Sequence, residues 1–501
     1  MMKLIPNAFN LAVVIFVALG STACSYGMAV IGGTIGQPSF FKSMGLAMQG
    51  EDGYSRTADY IGAFNGVNCA GSAIGALASS WFADKYSRKT TIQGATVVLS
   101  VGAALCAGSV NLAMFLVGRL INGLGIGALV TVIPMYQAEV STAESRGLMV
   151  SMHGVMFAMG YSLSGWLSFG MHFISASGSS SSFPWRFPIA FQMILALLLL
   201  AGSPWLPYSP RWLVMQDRLD EALEVVKRLH RTKDDANDTL STSEFHQMKN
   251  QIELSRRQRQ RESENESSRF QLVKTASNRK RVLIAFFMMF NNQFTGILVL
   301  NNYLVLLFSA LGLSGYWPLL LSAIYVFLTF PGNIFCGLYV ERFGRRTFTL
   351  IGLIGIIVVL SVEAALQAEY LGTNNRTAQN VAVLFIFLVA TPFWSFFLDA
   401  TQFIYIAEIF PTHIRSQGIA VGMAGYYLAD IILLCAGPTA FNNLGWKFFL
   451  LFICYTACNA VFVYLYCPET KGRSLEEINE VFGDDVARDS DVVGEETKVE
   501  Y

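Results

Sequence analysis

Charged and amide side chains lie inside long apolar stretches of this sequence. Asp399, Asp430 and Arg119 are three such positions, and Asn291, Asn292 and Gln293 form an amide run with Asn302 following in the same stretch. A charge held inside a bilayer costs roughly 2.5 to 3.5 kcal/mol or more, so residues of this kind mark functional sites. Amides offer donors and acceptors to hydroxyl groups, and Phe403, Tyr426 and Tyr427 supply flat faces for a ring. Desolvated carboxyls favour their neutral form and can carry a proton. The chemistry expected of these types is recognition of a small polar solute, with Asn292, Gln293, Asn302, Phe403, Tyr426 and Tyr427 touching it and Arg119, Asp399 and Asp430 available for coupling. No nucleophile, base and orienting group share a motif, so an enzyme is not expected. The eight cysteines all fall in apolar runs without C-x-x-C spacing, which reads as buried hydrophobes rather than a metal or disulfide frame. No cofactor or metal is expected.

A second set of charges occurs twice. D-K-Y-S-R-K holds Asp84 and Arg88, and E-R-F-G-R-R holds Glu341 and Arg345. Glu139 precedes Arg146, and Glu408 precedes Arg415, at the same spacing; P-Y-S-P-R-W from Pro207 is matched by P-E-T-K-G-R from Pro468. The matched pairs stand roughly 260 residues apart, the signature of two homologous halves. Opposite charges at helix ends can pair across adjacent helices and hold one face shut, at about 0 to 1 kcal/mol per exposed pair. Asp84, Arg88, Glu139, Arg146, Glu341, Arg345, Glu408 and Arg415 are therefore the expected gate, and the pattern predicts that Glu139, Arg146, Glu408 and Arg415 stabilise the outward-open state.

The elements that must position these residues are membrane helices. At 501 residues, 53% hydrophobic and only 14% charged, the chain is too apolar for a soluble globule. Six apolar runs lie near 11–35, 59–82, 90–109, 112–137, 147–172 and 186–206, and six more near 282–310, 317–340, 347–369, 380–407, 416–436 and 446–467. The first could pass for a signal peptide ending near Ala23, but it continues to the length a bilayer requires. The expected organisation is a six-helix bundle over 1–206, a charged linker over 207–281, a second six-helix bundle over 282–467 and a tail over 468–501. Bases concentrate in the linker and the even-to-odd loops, which places the linker and both termini in the cytoplasm. Asn375, in the sequon Asn375-Arg376-Thr377, then faces outside and is a glycosylation candidate. Leu219, Leu223, Val226 and Leu229 have helical spacing, predicting a short amphipathic helix over Asp217 to Arg231 against the membrane face; 232–277 reads as a mobile polar segment. With formal net charge of zero, no nucleic-acid partner is implied. The glycines Gly118, Gly123, Gly125 and Gly127 lack a preceding strand and a G-K-[ST], so they read as close helix packing rather than a phosphate loop.

Several stretches resemble the sugar porter family of the major facilitator superfamily in its fungal form. They are G-R-L-I-N-G-L-G-I-G with P-M-Y-Q-A-E-V-S-T-A-E-S-R-G (118–147), N-Q-F-T-G-I (292–297), A-E-I-F-P-T-H-I-R (407–415), G-W-K (445–447) and P-E-T-K-G (468–472). The resemblance implies an all-α membrane protein of twelve transmembrane helices in two pseudo-symmetric six-helix bundles around a central site, open alternately to each side. It implies a monomeric plasma-membrane transporter of a sugar or related small organic solute. An exporter of a secondary metabolite is the alternative, and a non-transporting nutrient sensor a more remote one. The chain departs from the pattern in places. Ser87 stands for the usual Gly of the first loop motif, Asn292 for a Gln, Gly154 for a Gln, Leu298 for an Asn, Phe403 for a Trp, and Tyr426-Tyr427 for Asn-Trp, so hexose is not a default substrate. Proton-driven relatives resemble F-G-Y-D in the first span, with the acid facing an Arg of the fourth; here C-S-Y-G places Gly27 there, facing Arg119. The missing acid favours uniport. Proton symport through Asp399 or Asp430 is the alternative.

Overall fold

The apolar runs fold into long helices separated by Gly-, Pro- and Ser-containing turns. The computed structural model describes residues 7–48, 51–142, 146–176, 181–231, 241–243, 245–246, 248–250, 252–253, 271–370, 376–411, 414–472 and 475–483. The first half holds α1 (Ala8–Ile35), α2 (Tyr54–Tyr86), α3 (Arg88–Ala107), α4 (Leu112–Val140), α5 (Arg146–Ala176) and α6 (Phe183–Gly202). The second holds α7 in two pieces, α7a (Ala276–Gln293) and α7b (Ile297–Ala310), then α8 (Trp317–Phe343) and α9 (Arg345–Tyr370). α10 is also divided: α10a (Arg376–Leu388) passes through a π-helical turn, Val389–Ser395, into α10b (Asp399–Glu408). α11 (Arg415–Leu444) and α12 (Lys447–Tyr466) complete the set. Among the described residues, eleven of these segments are long and apolar enough to cross a membrane. The twelfth, α5, carries the buried polar residues Ser151, His153, Ser162, Ser164 and Ser168, which lower its apolar character.

The duplicated motifs are duplicated in three dimensions. In the first half Arg88 lies 2.9 Å from Glu139, whose other oxygen accepts from the Ser209 hydroxyl. In the second half Arg345 lies 2.7 Å from Glu408, whose other oxygen accepts from Thr470 at 2.7 Å. The three motifs of each half thus meet in one Arg–carboxylate–hydroxyl cluster. The turn before each Arg has a left-handed φ, 98° at Gly344 and 109° at Ser87. Ser87 meets the strain of that conformation with a helix cap, its hydroxyl accepting from Thr90 N–H at 3.1 Å.

Close packing within the first half rests on small residues. A Cβ on Gly123 or Gly127 of α4 would collide with the α2 backbone at Asn68 and Ser72, so these helices touch backbone to backbone. Large apolar side chains such as Ile74, Trp81, Leu197, Ile354 and Leu465 face outward, as lipid contact demands. This outward face corrects the reading of the cysteines: Cys435, Cys454 and Cys458 are exposed, whereas the other five are buried, and all are free thiols. An apolar run in a membrane helix has a lipid side as well as a core side, and sequence alone does not tell them apart. In the linker, helices Pro210–Met215 and Leu219–His230 bury Trp212, Leu213, Ala222 and Val226 together with Phe245 and Ile252 in a small separate core. Most of 232–277 lies outside the described residues.

Candidate solute and coupling site

The break in α7 follows from Gly296, which takes φ +84° and restarts the helix. Just before it, the amide run divides its work. Asn292 is fully buried within the second half, donating to Gln402 at 3.2 Å and accepting from Asn459 at 2.9 Å. Asn291 accepts from the Tyr455 hydroxyl at 3.2 Å. Gln293, one helical step on, turns toward the seam between the halves, and its Nε2 has no hydrogen-bond partner among the described residues.

The seam encloses a central cavity of about 40 Å³ lined by Gln293, Asp399, Tyr426, Trp394, Tyr161 and Thr329, among others. Asp399 accepts from Asn333 Nδ2 at 2.9 Å, with the Trp394 indole also beside it. Three of the expected residues, Gln293, Asp399 and Tyr426, therefore converge here. The other expected solute contacts sit elsewhere. Asn302 lines a second cavity of about 40 Å³ farther from the linker, beside Gly32 and Ser168. Phe403 lines the linker-side cavity, packing against His153 across the seam at a centroid distance of 5.5 Å. Tyr427 is fully buried against Tyr426, at 5.2 Å. Trp394 was not singled out from sequence. It arrives at the cavity through the π-helical turn around Pro392, a local rewinding that a 3.6-residue period does not foresee.

On the linker side the seam opens into a larger cavity of about 320 Å³, whose lining includes Asp84, Arg88, Glu139, Arg211 and Arg415. The ion pairs described above join neighbouring helices of the same half, as does Arg88 with Asp84 at 3.2 Å. A hydrogen bond that does cross the seam comes from Ser416, which donates to Asp84 at 3.0 Å. Arg415 donates to the Phe410 carbonyl at 3.2 Å. The side chains of Arg146 and Glu341 and the whole of Asn375 lie outside the described residues. Burial lowers the pKa of Arg211, with the Glu139 carboxylate acting in the opposite sense.

Residues 13–482 match the family described as "Sugar (and other) transporter". The chain belongs to this sugar transporter family. Among relatives, MFS-type transporter criB of Aspergillus cristatus is 32% identical over 425 residues, covering 85% of each chain. Sugar transporter STL1 of Saccharomyces cerevisiae is 30% identical over 82% of this chain and 70% of its own. The fold is that of XylE. The proton:xylose symporter bound to 6-bromo-6-deoxy-D-glucose superposes with a TM-score of 0.78 at 23% identity, over 95% of this chain and 100% of that one. A partially occluded inward-open form of XylE from E. coli gives 0.74 at 21% identity, over 93% and 100%. The protein is accordingly a multi-pass membrane transporter of the sugar porter type, for a sugar or a related small organic solute.

The arginine of the fourth span is held by backbone oxygens. Arg119 is 3% exposed and donates to the carbonyls of Gly27 at 2.9 Å and Phe64 at 3.2 Å, with Asn65 Oδ1 at 3.5 Å. Backbone oxygens thus stand where a carboxylate partner is absent. Asp430 is fully buried on α11, and neither of its oxygens has a hydrogen-bond partner among the described residues.

Proposed function

We propose that the central cavity is the solute site, and that it takes a neutral polyhydroxylated solute such as a monosaccharide or a small polyol. The observation carrying this reading is the convergence of Gln293, Asp399, Trp394 and Tyr426 on one cavity at the seam. An amide donor without an internal partner suits a hydroxyl, a carboxylate accepts from a second, and aromatic faces cover the apolar side of a ring. Space of about 40 Å³ holds little more than one water, so the halves must part for the solute to enter. The linker-side cavity is then the exit path, the linker side is the cytoplasmic face of a plasma-membrane protein, and Ser416 with Asp84 is its latch. The protein works as a monomer.

Binding places the solute against Trp394. Titrating purified protein with D-glucose, D-xylose or glycerol should change its tryptophan fluorescence saturably, and Trp394→Phe should abolish that change. A saturable change that persists in Trp394→Phe, or no change with any of the three, would count against this site.

A further inference from the structure

Asp430 is the buried charge for which the arrangement at Arg119 has no use. The titratable groups within its electrostatic reach are Cys69 on α2, Tyr161 on α5, and Tyr426 and Tyr427 on its own helix. Arg119 of α4 and Tyr303 of α7b lie within electrostatic reach of Cys69, and Asp399 of α10b within reach of Tyr161 and Tyr426. An ionised carboxylate buried in such company, with no donor to either oxygen among the described residues, carries a heavy desolvation cost. A carboxylic acid there, carrying no charge, escapes that cost.

The far side of the seam closes directly over this residue. Gly62 and Gly66 of α2 pack on Cys435 of α11 so tightly that a Cβ on either would overlap it. Asn65 donates to the Tyr303 hydroxyl at 3.2 Å, and Thr439 donates to Asp59 at 3.2 Å. Parting of α2 and α11 would expose Asp430 to water from the far side. On the other side Tyr161, Tyr426 and Asp399 line the solute cavity.

We infer that Asp430 binds one proton from the far side, and that the α2–α11 seam closes only over its protonated form, so that solute moves together with a proton. With the seam open, the carboxylate takes a proton from a hydronium ion and leaves water. With it closed and the linker side open, water that enters the central cavity takes the proton as a hydronium ion and leaves the carboxylate. Asp430 is left ionised, a form the closed seam does not tolerate, which drives the return. This inference rests on the transport reading of the same seam, and it moves the coupling acid from the first span to the eleventh.

Proteoliposomes with the membrane potential clamped at zero, an inward gradient of one pH unit and radiolabelled D-glucose, D-xylose or glycerol test it. One proton per solute gives about tenfold accumulation, since each pH unit is worth about 1.4 kcal/mol per proton. Accumulation should fall to the equilibrium level in Asp430→Asn. Wild-type uptake that only equilibrates, or accumulation that survives in Asp430→Asn, overturns the inference while leaving the transport reading intact. Should none of the probes enter, the solute assignment fails instead. Infrared difference spectra between high and low pH, taken without solute, then decide the inference. A protonated-carboxyl carbonyl band present in wild type and missing in Asp430→Asn supports it, and no such difference overturns it.

Discussion

Arg119 donates to the backbone carbonyl of Gly27 at 2.9 Å, and the amide of Gln192 occupies the space that a side chain on Gly27 would need. Gln192 is itself fixed, donating to the Ala23 carbonyl at 3.2 Å and accepting from Asn122 at 3.2 Å. The missing acid has thus been replaced by packing as well as by carbonyls. Gly27→Asp should overpack this corner and cost about 1 to 3 kcal/mol. Adding Gln192→Ala should recover most of the loss. Thermal unfolding in detergent compares the three proteins, and a single variant as stable as wild type would show that the corner has room.

Ser87 and Gly344 occupy matched turns with φ of 109° and 98°. Glycine removes strain of about 1 kcal/mol or more at such an angle, against a few tenths for the lost cap. Ser87→Gly should therefore raise the unfolding temperature. The reverse change should not be tolerated, because a Cβ on Gly344 would lie 2.6 Å from the Glu469 carboxylate, which accepts from the Arg345 and Arg346 N–H groups at 2.9 and 3.1 Å. An unfolding temperature for Gly344→Ser equal to wild type would contradict this account.

Asn292 and Gln293 are neighbours with different duties. Asn292→Ala removes a link between Gln402 and Asn459 and should lower stability by about 1 to 3 kcal/mol, the cost of leaving buried polar groups unpaired. Gln293→Ala should leave stability nearly unchanged and raise KM about tenfold, the worth of one good hydrogen bond to solute. Unfolding curves and uptake kinetics separate the two, and equal effects of both changes on KM would refute the division.

These two amides also show what could be read from sequence and what could not. Twelve apolar runs and the duplicated charge motifs were legible, because hydropathy and spacing survive in one dimension. Which amide faces the seam was not, since consecutive residues on a helix point about 100° apart and the run alone fixes no zero of rotation. The break at Gly296 and the π turn that presents Trp394 shift that rotation again. Asp399 and Asp430 were visible as charges in apolar sequence. That one is hydrogen-bonded beside the cavity and the other lies buried without a partner is a property of the packed seam. The repeat marked out the charges of the Arg88–Glu139 and Arg345–Glu408 pairs but not which charge meets which, and the seam-crossing Ser416 carries no charge to draw notice.

Arg88 and Ser416 should accordingly differ in their effects. Arg88→Ala leaves Glu139 partly buried without its cation and should destabilise the protein by about 3 kcal/mol. Ser416→Ala should instead weaken the latch to Asp84, worth about 1.5 kcal/mol for a hydrogen bond to a charged group. Labelling of a cysteine introduced at Met423, in the linker-side cavity, should then speed up in Ser416→Ala. An unchanged labelling rate would remove Ser416 from the gate.

Counterflow tests the central claim most directly, because it requires only a site that is open alternately to each side and no driving force. Proteoliposomes loaded with unlabelled D-glucose, D-xylose or glycerol are diluted into a trace of the same labelled solute. The account predicts a transient overshoot of label inside the vesicles for at least one of the three, with wild-type protein and not with empty liposomes. It also predicts that Gln293→Ala and Trp394→Ala diminish the overshoot. No overshoot for any of these solutes, or an overshoot indifferent to both substitutions, would contradict a solute site at the seam.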